Sequence, residues 1–137
     1  MNQYMDLAIK LAKRAYKCND VPVGCVIVKN NKVIGEGFNK KNIDNISIYH
    51  AEMLAIIKAC KKNKSWYLDD CDLYVTLKPC AMCMAAIAES RIKNVYYLID
   101  SNYDNNANSN FSKINIEKIT YNNEYVNLLK GFFEKIR

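Results

Sequence analysis

The sequence predicts an α/β fold, with a mostly parallel sheet carrying helices on its faces. Two observations lead there. From the second strand of a hairpin onward the apolar runs alternate as strand, helix, strand, helix, strand, and strands joined through helices pair in parallel. The chain has 137 residues and is 50% hydrophobic, enough for one core and short for two, so residues 1–137 are expected to form a single domain. No internal repeat interrupts the pattern.

Residues 4–17 set Met5, Leu7, Ala8, Ile9, Leu11, Ala12 and Ala15 among basic residues, the pattern of an amphipathic helix. Residues 21–28 and 32–38 are rich in valine and isoleucine and flank Asn30-Asn31, which suits a tight turn, so they form a hairpin. A helix follows over 50–62, strongly apolar from Met53 to Ala59. Residues 72–77 make a third strand and run into Pro79, which suits the first position of a helix that continues through Ala88. A fourth strand lies at 95–99 and a weaker fifth at 116–120. The Asn-rich stretch 101–110 is polar enough for a mobile loop. Residues 124–137 read as a last helix, with Val126, Leu128, Leu129, Phe132, Phe133 and Ile136 available to pack back.

The chemistry lies in two short runs, His50-Ala51-Glu52, which holds the chain's one histidine, and Pro79-Cys80-Ala81-Met82-Cys83. His50, Cys80 and Cys83 offer one nitrogen and two sulfurs, a donor set suited to zinc. The count of three matters, because structural zinc sites are closed by four protein ligands while hydrolytic sites leave one position for water. A lone Cys-x-x-Cys also reads as a redox pair or half a zinc knuckle. Here no second pair exists and a His-x-Glu stands upstream, which favours the open site. Cys18, Cys25, Cys60 and Cys71 read as buried or half-buried reduced thiols. In a helix over 50–62, Cys60 stands roughly 15 Å from His50 and out of reach. That arithmetic leaves Cys18, Cys25 and Cys71 open as fourth ligands.

His50 and Glu52 are about 200° apart around a helix, so they share no side of it. They can share its end, because side chains lean towards the N-terminus and those of a first turn converge over the axis. The Pro79 run repeats the arrangement, so two helix N-termini point at one metal. Their partial positive charge favours thiolates at Cys80 and Cys83 and the hydroxide form of bound water. Glu52 is then a proton carrier and not a ligand. Standing alone it would read equally well as a carboxylate stabilised by the helix dipole.

The net charge of +6 suits an RNA partner, with Lys40, Lys41, Lys58, Lys61, Lys62, Lys64, Arg91 and Lys93 as candidate phosphate contacts. It fits compositional drift equally well, since the abundant Asn, Ile, Tyr and Lys are what AT-rich codons encode. No apolar run is long enough to cross a membrane, and residues 1–4 begin no signal peptide. Six cysteines that include metal ligands point to a reducing compartment, the cytoplasm.

His-x-Glu followed by Pro-Cys-x-x-Cys is the signature of the zinc-dependent base deaminases. The flanking runs narrow the likeness: Leu11-Ala12-Lys13-Arg14-Ala15, Val21-Pro22-Val23-Gly24, Val33-Ile34-Gly35-Glu36-Gly37-Phe38-Asn39, Leu73-Tyr74-Val75-Thr76-Leu77 and Ser90-Arg91-Ile92. With them the chain resembles the bacterial tRNA adenosine deaminases, which convert the wobble adenosine to inosine. The resemblance covers roughly residues 7–97 and the last helix. It implies a three-layer α/β/α sandwich on a five-stranded mixed, mostly parallel sheet of the cytidine deaminase-like kind. It also implies one zinc per subunit, no organic cofactor, a tRNA anticodon loop as substrate, and a homodimer whose active sites draw on both subunits. By the same resemblance Asn39 hydrogen-bonds the bound nucleotide and Val23 lies against the base. Without it they read as a strand-end turn residue and a core valine.

The chain departs from that family at Lys78, where glutamate is usual before Pro-Cys, and at Tyr49, where a small residue is usual before His-Ala-Glu. Residues 98–113 are shorter than the family's anticodon-holding segment, lack glycine and are rich in Asn. These departures keep a second reading open, a deaminase of a free base or nucleoside such as guanine or cytosine. A third, a zinc-stabilised binding module, has no use for an intact Glu52.

Overall fold

The computed structural model describes residues 2–101, 113–121 and 123–135. In chain order the elements are α1 (Gln3–Lys17), β1 (Gly24–Lys29), β2 (Lys32–Phe38), α2 (Lys41–Asp44), α3 (Ala51–Asn63), β3 (Cys71–Leu77), α4 (Ala81–Glu89), β4 (Asn94–Ile99), β5 (Asn115–Lys118) and α5 (Glu124–Lys135). The expected loop at 101–110 lies, beyond Ser101, outside the described residues, as do positions 136 and 137 of the expected last helix.

The five strands form one sheet in the order β2-β1-β3-β4-β5. β1 is antiparallel to both β2 and β3, while β3, β4 and β5 pair in parallel. Four strands therefore run one way and β1 alone opposes them, the mixed, mostly parallel sheet the sequence predicts. The hairpin turns on Asn30 and Asn31, both at positive φ (50° and 62°), the conformation that lets a two-residue turn follow the twist of its strands.

Alternation along the strands divides the core in two. Cys25, Ile27, Leu73, Val75, Val95 and Tyr97 face α3 and α4, packing with Ala51, Ala55, Ala59, Met84 and Ile87. Val26, Val28, Tyr74, Tyr96 and Leu98 face the other way, towards Met5, Ala8, Ile9, Leu11 and Ala12 of α1 and Tyr125 of α5. The result is the three-layer α/β/α sandwich. Small residues set how closely the layers approach: a Cβ on Gly37 would stand 2.6 Å from the Ala51 carbonyl oxygen, and one on Gly35 2.3 Å from that of Ala55. Strand β2 thus fixes the depth at which the first turn of α3 sits.

Four expectations need correction. Pro79 precedes the N-cap, Cys80, and so lies outside α4, because its buried ring serves the strand-to-helix link. The short helix α2 was not expected; it has no buried residue and hence no apolar periodicity to reveal it. In α5 the core anchors are Tyr125 and Phe132, while Phe133 is 46% exposed. Cys18 is exposed and not a packed thiol, since α1 ends in a turn at that residue.

Candidate functional site

Helices α3 and α4 both start at one end of the sheet, α4 directly after the C-terminal end of β3. Their N-caps are His50 and Cys80, each in extended conformation, and neither side chain makes a capping hydrogen bond. Side chains at that position ordinarily fold back on the helix. Here they turn towards each other. The His50 Nδ1 lies 3.7 Å from the Cys80 Sγ and 3.5 Å from the Cys83 Sγ. All three donor atoms fall within 4.8 Å of one another, a grouping that can hold a metal ion. One nitrogen and two sulfurs at that separation suit zinc, which takes imidazole and thiolate ligands in tetrahedral array. Among the described residues the other four cysteines lie outside the group. Burial raises the thiols of Cys25 and Cys60 and brings that of Cys71 to about 12, so all three stay protonated at neutral pH.

The electrostatics follow from crowding these groups at two helix N-termini. Hydrogen bonds from Cys83 and His50 lower the Cys80 thiol to about 3. The Cys83 thiol is raised, first because it is hydrogen-bonded to Cys80 and then by burial. His50 is raised by its hydrogen bond to Cys80, against the opposing pull of burial and of the nearby Lys41 charge. Glu52, in the first turn of α3, is only 4% exposed, and burial lifts its carboxyl to about 7. It shares the helix end with His50, as the lean of first-turn side chains requires.

Asn39 and Val23 are both buried beside this end of α3. The Asn39 Oδ1 accepts the Ala51 amide hydrogen at 2.8 Å, and the Asn39 amide donates to the Val23 carbonyl at 3.2 Å. Because the Ala51 N–H determines which amide atom is the oxygen, the Asn39 NH₂ group is turned away from the helix as a donor.

Two further residues shape the site that sequence reasoning did not single out. Asp20 is fully buried; its carboxylate accepts the amides of Val21 (2.9 Å), Asn42 (2.8 Å) and Ile43 (3.2 Å). It ties the link into β1 to the exposed segment 41–48, which is closed off where the Lys40 amide donates to the Tyr49 carbonyl at 2.9 Å, just before His50. The buried Tyr125 of α5 donates its hydroxyl to the Pro22 carbonyl at 2.7 Å, just before Val23. An aspartate before Val-Pro is the sole local signal for the first; nothing local marks the second, which lies 103 residues from its acceptor.

Beyond Cys80, the C-terminal ends of β3, β4 and β5 carry a row of charged groups. The Lys78 Nζ lies 5.8 Å from the centre of the Tyr97 ring, and the Tyr97 hydroxyl donates to Asp100 at 2.9 Å. Lys118 pairs with the other Asp100 oxygen at 2.9 Å. Lys118, Tyr97 and, more weakly, Lys78 together hold the Asp100 carboxyl below the usual carboxylate range.

Residues 1–99 match the family model described as the cytidine and deoxycytidylate deaminase zinc-binding region. The chain is 41% identical to a tRNA-specific adenosine deaminase of Rickettsia bellii (strain RML369-C), over 95% of this chain and 97% of that protein. A solved structure from work on A-to-I editing by tRNA:A34 deaminases at the wobble position of transfer RNA superposes with a TM-score of 0.78 at 31% identity, covering 85% of this chain and 96% of the other. A guanine deaminase of Bacillus subtilis superposes with a TM-score of 0.69 at 30% identity, covering 98% and 95%.

Proposed function

The chain belongs to the zinc-binding cytidine and deoxycytidylate deaminase family, and from that premise we propose that it hydrolyses the amino group of adenosine at the wobble position of a tRNA anticodon, leaving inosine and ammonia. One observation carries the substrate: the likeness to the Rickettsia bellii enzyme extends over 97% of that protein, far beyond the metal motif common to the zinc deaminases with this signature.

In this reading His50, Cys80 and Cys83 hold the zinc. When bound, zinc supplies the Lewis acidity that brings water towards ionisation at neutral pH. Glu52 accepts a proton from the attacking water as oxygen bonds to C6 of the base. Its carboxyl passes that proton to the ring nitrogen, then takes the proton of the new C6 hydroxyl and hands it to the departing amine, so that the C6–N bond breaks, the C6 carbonyl forms and neutral ammonia leaves. A buried carboxyl is suited to this traffic because neither of its protonation states is strongly preferred. The Asn39 NH₂ group donates to the nucleotide, and Val23 packs against the base. Glu52 is itself buried and hydrogen-bonded to Cys83, which limits the access of bulk water to the proton path.

Residues 1–137 serve as a single domain, supported by two core clusters that share one sheet. The active form is a homodimer in the cytoplasm and needs no organic cofactor. Ile43, Ile46, Ile48 and Ile57 are exposed around the start and outer face of α3, apolar surface that a second copy covers. Sedimentation at micromolar protein checks this, and a monomer alone counts against it.

The similarity to a guanine deaminase over 98% of this chain supports a second reading, hydrolysis of a free base. Incubation with an anticodon stem-loop bearing adenosine at the wobble position, beside free guanine and cytosine, separates the two. Inosine in the RNA supports the first; turnover of a free base without inosine replaces it with the second.

A further inference from the structure

We propose that Lys78 contacts a phosphate flanking the reacting nucleotide, and so makes the site selective for a base within a polynucleotide over the free base. The inference rests on RNA being the substrate.

Lys78 stands two residues before Cys80, at the C-terminal end of β3, and its backbone amide donates to the Ile99 carbonyl at 2.9 Å at the end of β4. In an open sheet, ligands bind outside the carboxyl ends of the parallel strands, and the metal-binding group sits there too. The Lys78 side chain lies across the Tyr97 ring, which is buried beneath it, so its methylene stem has an apolar seat while its ammonium stays at the rim. The nearby carboxylate, Asp100, is already engaged by Lys118 and by the Tyr97 hydroxyl. Among the described residues Lys78 has no ion pair of its own. A cation two residues before Cys80 at the ligand-binding end of the sheet, with its neighbouring anion already paired, is placed to meet the backbone of a nucleic acid. A free base carries no phosphate for it to meet.

The test is a double-mutant cycle on stem-loop binding. Wild type and Lys78→Gln are each titrated with the wobble-adenosine stem-loop and with the same RNA carrying a neutral methylphosphonate on one or the other side of that adenosine. Removing the right phosphate should weaken wild-type binding about tenfold, in line with loss of one charge-assisted hydrogen bond, and weaken Lys78→Gln little further. The salt dependence of log Kd for the unmodified RNA should flatten by about 0.7 in Lys78→Gln, one single-strand phosphate contact. Lys78→Arg should keep the coupling, and zinc content should be unchanged in both variants. Additive losses at both phosphates overturn the proposal, as does a coupling absent from Lys78→Arg and wild type alike. Wild type that binds the stem-loop through Lys78 but forms no inosine overturns the adenosine reading alone; inosine formation with additive losses overturns the Lys78 contact alone.

Discussion

The side-chain oxygen of Asn39 accepts the amide hydrogen of Ala51 at 2.8 Å, so the residue that follows β2 also holds the first turn of α3. One oxygen thereby fixes both the helix that carries His50 and Glu52 and the direction of its own NH₂ group. Asn39→Ala should lose this acceptor and about 1–2 kcal/mol of stability, the usual cost of stranding a buried donor. Asn39→Asp keeps the acceptor and loses the NH₂ donor. It should retain the wild-type Tm more closely yet raise KM for the substrate. Equal KM in Asn39→Asp and wild type would remove Asn39 from substrate binding.

Metal content should follow the three donors that converge at the two N-caps. Each of His50→Ala, Cys80→Ala and Cys83→Ala should lose zinc or bind it far more weakly, whereas Cys60→Ala should keep one zinc per chain by elemental analysis. Unchanged zinc in Cys80→Ala contradicts the assignment. Chelation should abolish activity, and added zinc should restore it.

Glu52 separates binding from chemistry. Burial already pushes its carboxyl to about 7, towards the neutral form, so a neutral amide in its place costs the fold little. Glu52→Gln should keep its zinc and its Tm and lose about two to four powers of ten in kcat. Full turnover in this variant excludes Glu52 as the proton carrier.

Close approach of sheet and helix makes two glycine substitutions diverge. Gly37→Ala would put a Cβ 2.6 Å from the Ala51 carbonyl oxygen and should cost about 1–3 kcal/mol as α3 is pushed off the sheet, loosening zinc with it. Gly131→Ala in α5 meets nothing nearer than the Tyr16 hydroxyl at 3.5 Å. It should stabilise by about 0.5–1 kcal/mol through helix propensity. Thermal melts of the pair check the contrast.

Asp20 holds segment 41–48 by backbone amides alone. Asp20→Asn keeps one carbonyl oxygen and loses the second acceptor, so the Asn42 and Ile43 amides should exchange with solvent markedly faster while the core amides of β1 and β3 stay protected. Uniformly faster exchange across the sheet would mean instead that Asp20 supports the whole fold.

The local sequence determined the secondary elements and the donor set. Strand periodicity in 72–77 and 95–99, the Asn30-Asn31 turn, and the apolar face of α1 are properties of neighbouring residues, and each stands within a residue or two of its expected place. The likeness of residues 50–52 and 79–83 to a zinc motif is equally local, since residue type and spacing are all it needs. Tertiary structure decided what depends on distant parts of the chain. The 3.5 Å approach of His50 to Cys83 spans 33 positions and exists because β3 delivers α4 beside α3. The second hydrogen-bonding role of Asn39, the burial of Asp20 against Asn42, and the reach of Tyr125 to Pro22 have the same origin. α2 leaves no periodic signal because it buries no residue, and Phe133 is exposed although apolar because a helix with apolar residues on several sides does not declare which side meets the sheet. Periodicity reports which residues share a face, while only packing selects the face that is covered.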